Sequence, residues 1–501
     1  MSTLYSARGK MFAVNGQVLR MPDHRAPFVI KVDTTLPTSS NTFILPLSNH
    51  VTNLVVECCD GQEKYITNYQ NSTITFATPG VYTLKLRGEC GWSFANTGDC
   101  KKVTEIISWG DMKFNYLLNG FYGCINLTSL PATGSINGPT ILSSSYSRLF
   151  SNCTSLTSFG SPDIFDRSGN IVGASLMFNQ CSNLAGAVPA GYFDGLVLNT
   201  SFQQTFNACP KITTLPADLF KYNIKVTSFL SCFQGCSLLN NLPSDLFKYN
   251  TLVTSFVSTF NTCSALSSLP VDLFRYNTAV TSFASTFLSC SSLTTLPTDL
   301  FRYNTLVTSF GGSTLDGTFQ GCTALTALPT DIFRYNTAVT AFSATFQLCG
   351  SLNNIPTDLF RYNVNVTNFS SLFNRCTSLS SIPVDTFRYN TAVTTFNGAF
   401  VNCALTSLPN NLFYYNSNVT NYGGAFSGNR TQCALPVTLF NLANINKVTV
   451  WTTMFNVTTA NTFTGTVQDI WNYASAGSTK TDCFQGCTGL SNYASIPVEW
   501  T

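Results

Sequence analysis

Charge is scarce in this chain. Its 501 residues include only 26 Lys and Arg and 23 Asp and Glu, 10% in all, whereas roughly a quarter of an ordinary globular domain is charged. The net charge of +3 does not favour a surface built on many phosphate contacts, so we expect no nucleic-acid partner. Because 44% of the residues are hydrophobic, the chain can form a large core. Its surface must then consist largely of Ser, Thr and Asn.

Histidine and long apolar runs are also lacking. His24 and His50 are the only histidines, which excludes most histidine-based metal centres and catalytic triads. No run approaches the roughly 18 consecutive apolar residues of a membrane-spanning helix, and residues 1–21 lack the apolar core of a secretion signal. We therefore expect no membrane span, no metal site and no cofactor.

What the sequence does contain is a repeat. The motif LPTDLFRYN and its variants recur seven times, with prolines spaced by 27 residues except for one step of 32. These prolines are Pro216, Pro243, Pro270, Pro297, Pro329, Pro356 and Pro383. An insertion around Gly311–Gly317 explains the long step, and a cysteine column keeps the same period from Cys209 to Cys403. A fixed period of this size is typical of a solenoid.

The repeat unit, approximately VTSFxxTFxxCxxLxxLPxDLFRYNTx, also predicts the structure of one coil. Residues 293–297 read as a short strand ended by proline. Residues 298–304 suit a short helix, with Asp299 in its first turn and Asn304 at a left-handed end. Residues 283–290 place Phe and Cys on one further helical face. Since the L-x-x-L and C-x-x-L core resembles the leucine-rich repeat, we predict an α/β leucine-rich-repeat solenoid, with a short strand and short helices per coil.

A family resemblance extends this prediction beyond the repeats. The unit F-x-x-C-x-x-L-x-x-L-P resembles the BspA-type leucine-rich-repeat surface proteins of Bacteroidetes and mycoplasmas. FATPGVYTLKLRG (76–88) resembles a strand of the PKD-like β-sandwich that precedes such arrays, and CFQGCTGLSNYASIPVEW (483–500) a closing repeat. The predicted organisation has four parts. They are an N-terminal arm with a hairpin turn at 13–16 (1–26), a small all-β sandwich (27–102), the solenoid (103–440), and C-terminal repeats with a capping unit (441–501).

The resemblance implies a non-enzymatic role in adhesion or structure. Bacterial members of the family carry an export signal, and residues 1–26 resemble none. We therefore expect a bacteriophage virion-surface appendage, a fibre or a capsid or tail decoration, anchored to other virion proteins by its N-terminal region. Its solenoid would serve host-surface adhesion, to a glycan or protein, or subunit contacts in a homo-oligomer. A bacterial cell-surface adhesin is the alternative, and a polysaccharide-degrading enzyme is a third reading.

The 19 cysteines favour packing over chemistry. Identical positions in successive coils predict buried free thiols that act as small hydrophobic groups. The pairs Cys232/Cys236 and Cys483/Cys487 have no second ligand pair or histidine beside them, so zinc is disfavoured. A disulfide between Cys90 and Cys100 remains an open alternative at this stage.

A column of acids offers the only hint of catalysis. It comprises Asp218, Asp245, Asp272, Asp299, Asp331, Asp358 and Asp385. Carboxylates in neighbouring coils could lie about 5 Å apart, as in a retaining glycosidase. Each Asp, however, is followed three residues later by Lys or Arg, and an i,i+3 ion pair explains both without catalysis. Seven near-identical sites also specify no unique active centre, so we predict no catalytic residues.

Two rows of side chains are candidate binding surfaces. The first alternates basic and aromatic residues, a composition typical of interfaces, although Tyr could also tile the coil junctions while Arg pairs with Asp. Its members are Arg275, Tyr276, Arg302, Tyr303, Arg334, Tyr335, Arg361, Tyr362, Arg388 and Tyr389. The second row lies on the predicted strand face, which solenoids often use for binding. It consists of Thr213, Asn240, Ser267, Thr294, Asn353 and Ser380.

Overall fold

The computed structural model describes residues 11–14, 17–20, 25–48, 52–58, 63–138, 144–166, 170–313, 315–457 and 462–501. The chain forms two compact units, Met1–Gly173 and Ala174–Thr501, and each is described by itself. The remaining residues, including Asn15 and Gly16 of the hairpin turn predicted at 13–16, lie outside the described part.

The strands of the first unit build an all-β region. They are β1 (Met11–Val14), β2 (Gln17–Arg20), β3 (Phe28–Asp33), β4 (Thr42–Ile44), β5 (Thr52–Glu57), β6 (Glu63–Ile66), β7 (Thr73–Thr75), β8 (Val81–Gly91), β9 (Val103–Ser108), β10 (Lys113–Tyr116), β11 (Ser144–Ser145) and β12 (Ile171–Gly173). β1 and β2 pair antiparallel with Val14 opposite Gln17, so the strands of the predicted hairpin are confirmed.

A six-stranded mixed sheet organises this unit. Its order is β6-β5-β8-β3-β9, with β10 parallel to β8, while β4 pairs separately with β7. β3 alternates buried and half-buried residues, as a strand with one face on a core requires. Phe28, on its buried side, lies edge-on to Trp92 at 5.5 Å and stacks with Trp109 at 5.8 Å between ring centroids. The sheet therefore extends past residue 102, and Trp109 belongs to its core.

The second unit is a stack of parallel coils joined by backbone bridges. Ser201, Ser228, Ser255, Ser282 and Ser309 are bridged in turn, each to the next coil. Beside them runs a threonine row. The backbone N–H and the Oγ1 of Thr254 both donate to the carbonyl oxygen of Thr227, at 3.1 and 3.4 Å. Longer strands occur only locally among the described residues: β13 (Gly186–Ala187), β14 (Ile212–Thr214), β15 (Ser309–Gly311), β16 (Ala341–Phe342), β17 (Cys433–Leu435) and β18 (Phe463–Gly465).

Columns of phenylalanine fill the centre of the coils. Phe229, Phe256 and Phe283 stack almost parallel, with successive ring centroids 5.9 Å apart. Phe247 and Phe274, 6.2 Å apart, belong to a second column, and all of these rings are fully buried. A single coil could not cover so much apolar surface, so each coil depends on its neighbours for its core.

The predicted α/β class needs a correction, because the described residues contain no α-helix. Residues 298–304 form successive turns instead: the N–H of Leu300, Arg302 and Asn304 each bond the carbonyl three residues earlier, at 3.3, 3.1 and 3.1 Å. The predicted helical face at 283–290 is broken by left-handed residues at Ser285 (φ 54°) and Ser289 (φ 58°), which an α-helix excludes. Helical segments are short 3-10 turns: η1 (Tyr69–Asn71), η2 (Cys100–Lys102), η3 (Leu442–Lys447), η4 (Ile470–Asn472), η5 (Tyr493–Ser495) and η6 (Val498–Trp500).

Asn304 was expected at a left-handed helix end, and this expectation is also wrong. Its side chain is fully buried, and its Nδ2 donates to the carbonyl oxygens of Phe274 at 3.1 Å and Asn277 at 2.9 Å. The same two bonds recur at Asn223, Asn250, Asn277, Asn336, Asn363, Asn390 and Asn416. An internal asparagine column thus links each coil to the one before it.

Residues 293–297 themselves are not a strand, but the equivalent segment of other coils forms β14 (Ile212–Thr214) and the bridge between Ala327 and Asn354. The strand prediction therefore holds in some coils only, and a second, more regular bridged row lies at the VTSF segment. At the C-terminal end, η6 folds over the last coil. Trp500 is 1% exposed, and its carbonyl oxygen accepts a hydrogen bond from the N–H of Phe484 at 2.8 Å. This segment therefore covers apolar groups at the end of the stack.

Candidate interaction surface

The acids and bases of the repeat meet on one side of each coil. The Nη1 of Arg302 lies 3.4 Å from the Oδ2 of Asp299, and the pair Arg388–Asp385 is separated by 3.3 Å. Equivalent ion pairs form at Lys248–Asp245, Arg275–Asp272, Arg334–Asp331 and Arg361–Asp358. Because the turn after proline brings residues i and i+3 together, the predicted i,i+3 pairing is confirmed in six of the seven coils.

Each guanidinium group also lies against two tyrosine rings. The Cζ of Arg302 is 5.8 Å from the ring centroid of Tyr303 and 5.2 Å from that of Tyr335, in the next coil. Arg275, Arg334, Arg361 and Arg388 repeat this arrangement. Such distances allow cation–π attraction. Arginine therefore connects neighbouring coils as well as its own Asp.

These side chains form a continuous exposed surface, which we call the Asp–Arg–Tyr stripe. It comprises the Asp, Lys or Arg, and Tyr residues of the seven coils from Asp218 to Tyr389. The Tyr side chains are 37% to 48% exposed, so part of every ring faces solvent. Electrostatic attraction from Tyr335 and Asp299 raises the pKa of Arg302, so its guanidinium group is charged at all ordinary pH values.

The ion pairs explain the presence of the Asp column without a catalytic role. The carboxylates lie beside a base of their own coil, at 3.2 to 3.5 Å in six coils, and each coil repeats the same environment. The two readings of the Arg–Tyr pattern are thus compatible. Tyr and Arg do tile the coil junctions, while their exposed faces remain available to a partner.

The second predicted row lies elsewhere on the coil, between the cysteine and the proline of each repeat. Asn240, Ser267, Thr294, Asn353 and Ser380 are exposed, and Thr213 is half-buried. The Oγ1 of Thr294 donates to the carbonyl oxygen of Ser267 at 3.4 Å, so part of its polarity is used between coils. Thr326 belongs to the same row and bonds Thr294 in the same way, at 3.5 Å. Our sequence-based list missed it because the 32-residue step shifts its number.

Sequence reasoning also missed the last member of the aromatic stripe. The next coil reads LFYYN instead of LFRYN, and its Tyr415 lies 5.0 Å from the Cζ of Arg388. Aligning Asn416 with the buried asparagine column would have revealed it. The left-handed residues in the turn before the cysteine, two in most coils, were missed as well. Gly235 (φ 77°) and Gly321 (φ 74°), directly before the cysteine, were the available signal.

The cysteines are core groups, as predicted. Every cysteine of the repeat column is buried and free, and so are Cys90 and Cys100, so the alternative of a disulfide between the latter two is wrong. Burial raises the pKa of Cys290 and of Cys349 to about 12. Within the described ranges, no three His, Cys, Asp or Glu side chains cluster as metal ligands would. No helix found there is both long and apolar enough to cross a membrane.

Comparisons with known proteins concern the repeat array. Residues 200–309 and 313–407 match the family model described as "Mycoplasma protein of unknown function, DUF285". A comparison with curated proteins finds no sequence match. Among solved structures, Toll from the Drosophila Toll–Spatzle complex matches with 18% identity and a TM-score of 0.40, over 73% of this chain and 49% of Toll. An internalin from Listeria monocytogenes matches with 13% identity and a TM-score of 0.18, over 70% and 86%.

This chain thus spans about half the length of the Toll chain that it matches. Because both TM-scores are low, the assignment of the array rests on its own coils and on the family match. That match supports the resemblance of the central coils to mycoplasmal repeat proteins. The protein therefore carries a repeat array of the leucine-rich-repeat type, similar to DUF285 proteins through residues 200–407.

Proposed function

We propose that this protein is a non-enzymatic recognition and structural protein that uses the surface of its solenoid for contacts. The observation that carries this proposal is the Asp–Arg–Tyr stripe. It presents seven half-exposed tyrosines, each beside a cation, in successive coils. Exposed aromatic and arginine side chains are the groups that contribute most to protein interfaces. A long, regular row of such side chains along the stacked coils is suited to binding a partner.

For its location we propose the surface of a virion, with the surface of a bacterial cell as the alternative. The support is the resemblance of the repeat unit to BspA-type surface proteins and the uncharged Ser, Thr and Asn residues that cover the other sides of the coils. The N-terminal region, whose six-stranded sheet extends from β3 to β10 and would be a PKD-like module, would attach the protein to other virion proteins. The row from Thr213 to Ser380 would face a host glycan or protein.

Quantitative mass spectrometry of purified particles tests this location. A fixed copy number per particle supports the virion proposal, whereas recovery only from the bacterial envelope supports the adhesin. Deleting residues 1–26 should leave a soluble solenoid that no longer enters particles. Normal incorporation of the shortened chain would exclude anchoring by the arm.

A polysaccharide-degrading enzyme is the reading that the geometry supports least. Such an enzyme needs two carboxylates in distinct environments, one of them kept protonated. In the stripe, Asp272, Asp299 and Asp331 each pair with the arginine three residues later, and their side chains are almost equally exposed, at 45%, 41% and 43%. Release of reducing sugar from host polysaccharide by the purified protein, lost in Asp299→Asn, would contradict the proposal.

A further inference from the structure

The Asp–Arg–Tyr stripe has an unusual property for a binding surface, since it presents an acid, a base and a tyrosine in every coil. From Arg275 to Arg388 the arginine side chains are 43% to 46% exposed and their acids 37% to 45%. A partner of irregular shape could match only one or two coils of such a surface. A partner with the same repeat could match all of them at once.

The spacing between the Arg and Tyr side chains of the stripe is unchanged in the coil whose repeat is longer. The coil after Pro297 carries the insertion, and its repeat is 32 residues long instead of 27. The Cζ of Arg302 nevertheless lies 5.2 Å from the ring of Tyr335, against 5.3 Å for Arg275 and Tyr303 in ordinary coils. The extra residues are thus accommodated on another side of the coil, and the spacing of the stripe is unchanged.

Charge in this part of the chain is also concentrated on the stripe. Between residues 226 and 374, every Asp, Glu, Lys and Arg except Asp316 belongs to it. Within one coil the acid precedes the base by three residues, so the stripe consists of an acidic column beside a basic column. Such a surface is complementary to itself when the two columns are exchanged.

We propose that the Asp–Arg–Tyr stripe is the contact surface between two copies of this chain, lying side by side with their stacks parallel and in register. A two-fold axis parallel to the stack places the acidic column of one copy opposite the basic column of the other in every coil. An antiparallel pair would bring like columns together instead. The inference deepens the proposed function by naming the partner of the stripe, and it rests on the stripe being a contact surface.

The proposed contact between the two copies is a narrow strip, so we expect it to be weak. Seven coils at about 5 Å per coil give a strip about 35 Å long, so the buried area falls in the class of weak, reversible interfaces. Each charge already has a partner in its own chain and gains a second one across the contact. We therefore expect dimers that form with rising concentration and dissociate as salt screens the charges.

Sedimentation velocity of the full chain over a concentration series tests the association. The wild type should shift from monomer to dimer with rising concentration in low salt, and the variant Arg275→Gln/Arg302→Gln/Arg334→Gln should dimerise about tenfold more weakly. The control Ser267→Glu/Thr294→Glu/Asn353→Glu lowers the net charge by the same amount on another side of the coil and should dimerise normally. Circular dichroism verifies that both variants are folded. A monomeric wild type at about 100 µM, or equal weakening by both variants, would overturn the inference.

Cross-linking tests the orientation. Tyr249→Cys and Tyr389→Cys place accessible thiols near opposite ends of the stripe, and the wild type gives the background of the native thiols. In a parallel, in-register dimer each variant should be joined to itself by a short bis-maleimide. Cross-linking only in a mixture of the two variants would show an antiparallel pair and refute the proposal. A fixed copy number in particles together with a monomeric wild type would overturn this inference alone and leave the proposed function standing.

Discussion

The Sγ of Cys263 lies 3.2 Å from the carbonyl oxygen of Phe233, in the preceding coil. The relationship recurs for Cys236, Cys290, Cys322, Cys349, Cys376 and Cys403, at 3.1 to 3.3 Å. Each thiol thus combines a small apolar volume with a weak donor directed at a buried acceptor. This column explains why the repeat uses cysteine in a chain with no need for disulfides in its array.

Thiol labelling should distinguish this arrangement from a cross-linked one. Since the repeat cysteines are buried and free, a water-soluble aromatic disulfide reagent should modify only a small fraction of the 19 thiols in native protein and all of them in denaturant. Dithiothreitol should leave the melting temperature unchanged. A marked loss of stability on reduction would contradict the prediction, because a structural disulfide contributes about 2–4 kcal/mol.

The same thiols predict unfolding at alkaline pH. Burial raises the pKa of Cys290, Cys349 and Cys403 from the ordinary thiol value of 9.0 to about 12. Folding therefore holds their protons more tightly than the unfolded chain does, and this stability is present below pH 9 and lost between pH 9 and 12. Each such thiol lowers the free energy of unfolding by about 1.4 kcal/mol per pH unit in this window.

A pH titration of urea unfolding checks this. The wild type should lose stability steeply above pH 9, and Cys290→Ala/Cys349→Ala should lose it less steeply, although it starts from a lower value at pH 7 because of the cavities left behind. Equal slopes for the two proteins would indicate that other groups cause the alkaline loss.

The asparagine column should be sensitive to single substitutions. The Nδ2 of Asn277 donates to the carbonyl oxygens of Phe247 at 3.1 Å and Asn250 at 3.0 Å. Asn277→Ala leaves both buried acceptors without this donor, and the free energy of unfolding should fall by about 2–4 kcal/mol. Asn353→Ala, on the exposed row, should change it by less than about 0.5 kcal/mol. Similar effects for the two variants would show that the column does not bind the coils together.

Deletion of a whole coil should be tolerated better than loss of the cap. Removing residues 270–296 deletes one full repeat and joins Leu269 to Pro297, which is equivalent to Pro270. The Phe, Cys and Asn columns can then continue from one remaining coil to the next, and the protein should fold as a shorter stack. Removing residues 483–501 uncovers the side of the coil on which Trp500 lies and should cause aggregation. The solubility and melting temperature of the two deletion variants test this prediction. An aggregating internal deletion beside a soluble C-terminal one would contradict the stacked arrangement.

The features that could be predicted from the sequence are those fixed by period or by short spacing. The 27-residue repeat requires stacking, and Asp299 and Arg302 are close enough in the chain to pair in almost any turn. The contact of Arg302 with Tyr335 depends on the height of one coil, which no local pattern determines. The helix predicted at 283–290 is wrong, although Phe283 and Phe287 fit helical spacing. Ser285 and Ser289 take left-handed conformations, and in the sequence only glycines at equivalent positions of other coils indicate this.

Stacking by nearest neighbours has a mechanical consequence. Each coil of Ala174–Thr501 is tied to adjacent coils by hydrogen bonds such as those along the threonine row, so tension applied at the two ends can release one coil without disrupting those farther away. An ordinary coil of 27 residues yields about 90 Å of extended chain, and the coil with the insertion, at 32 residues, about 110 Å. The unit would thus lengthen in discrete steps under load, and one longer step would mark the position of the insertion.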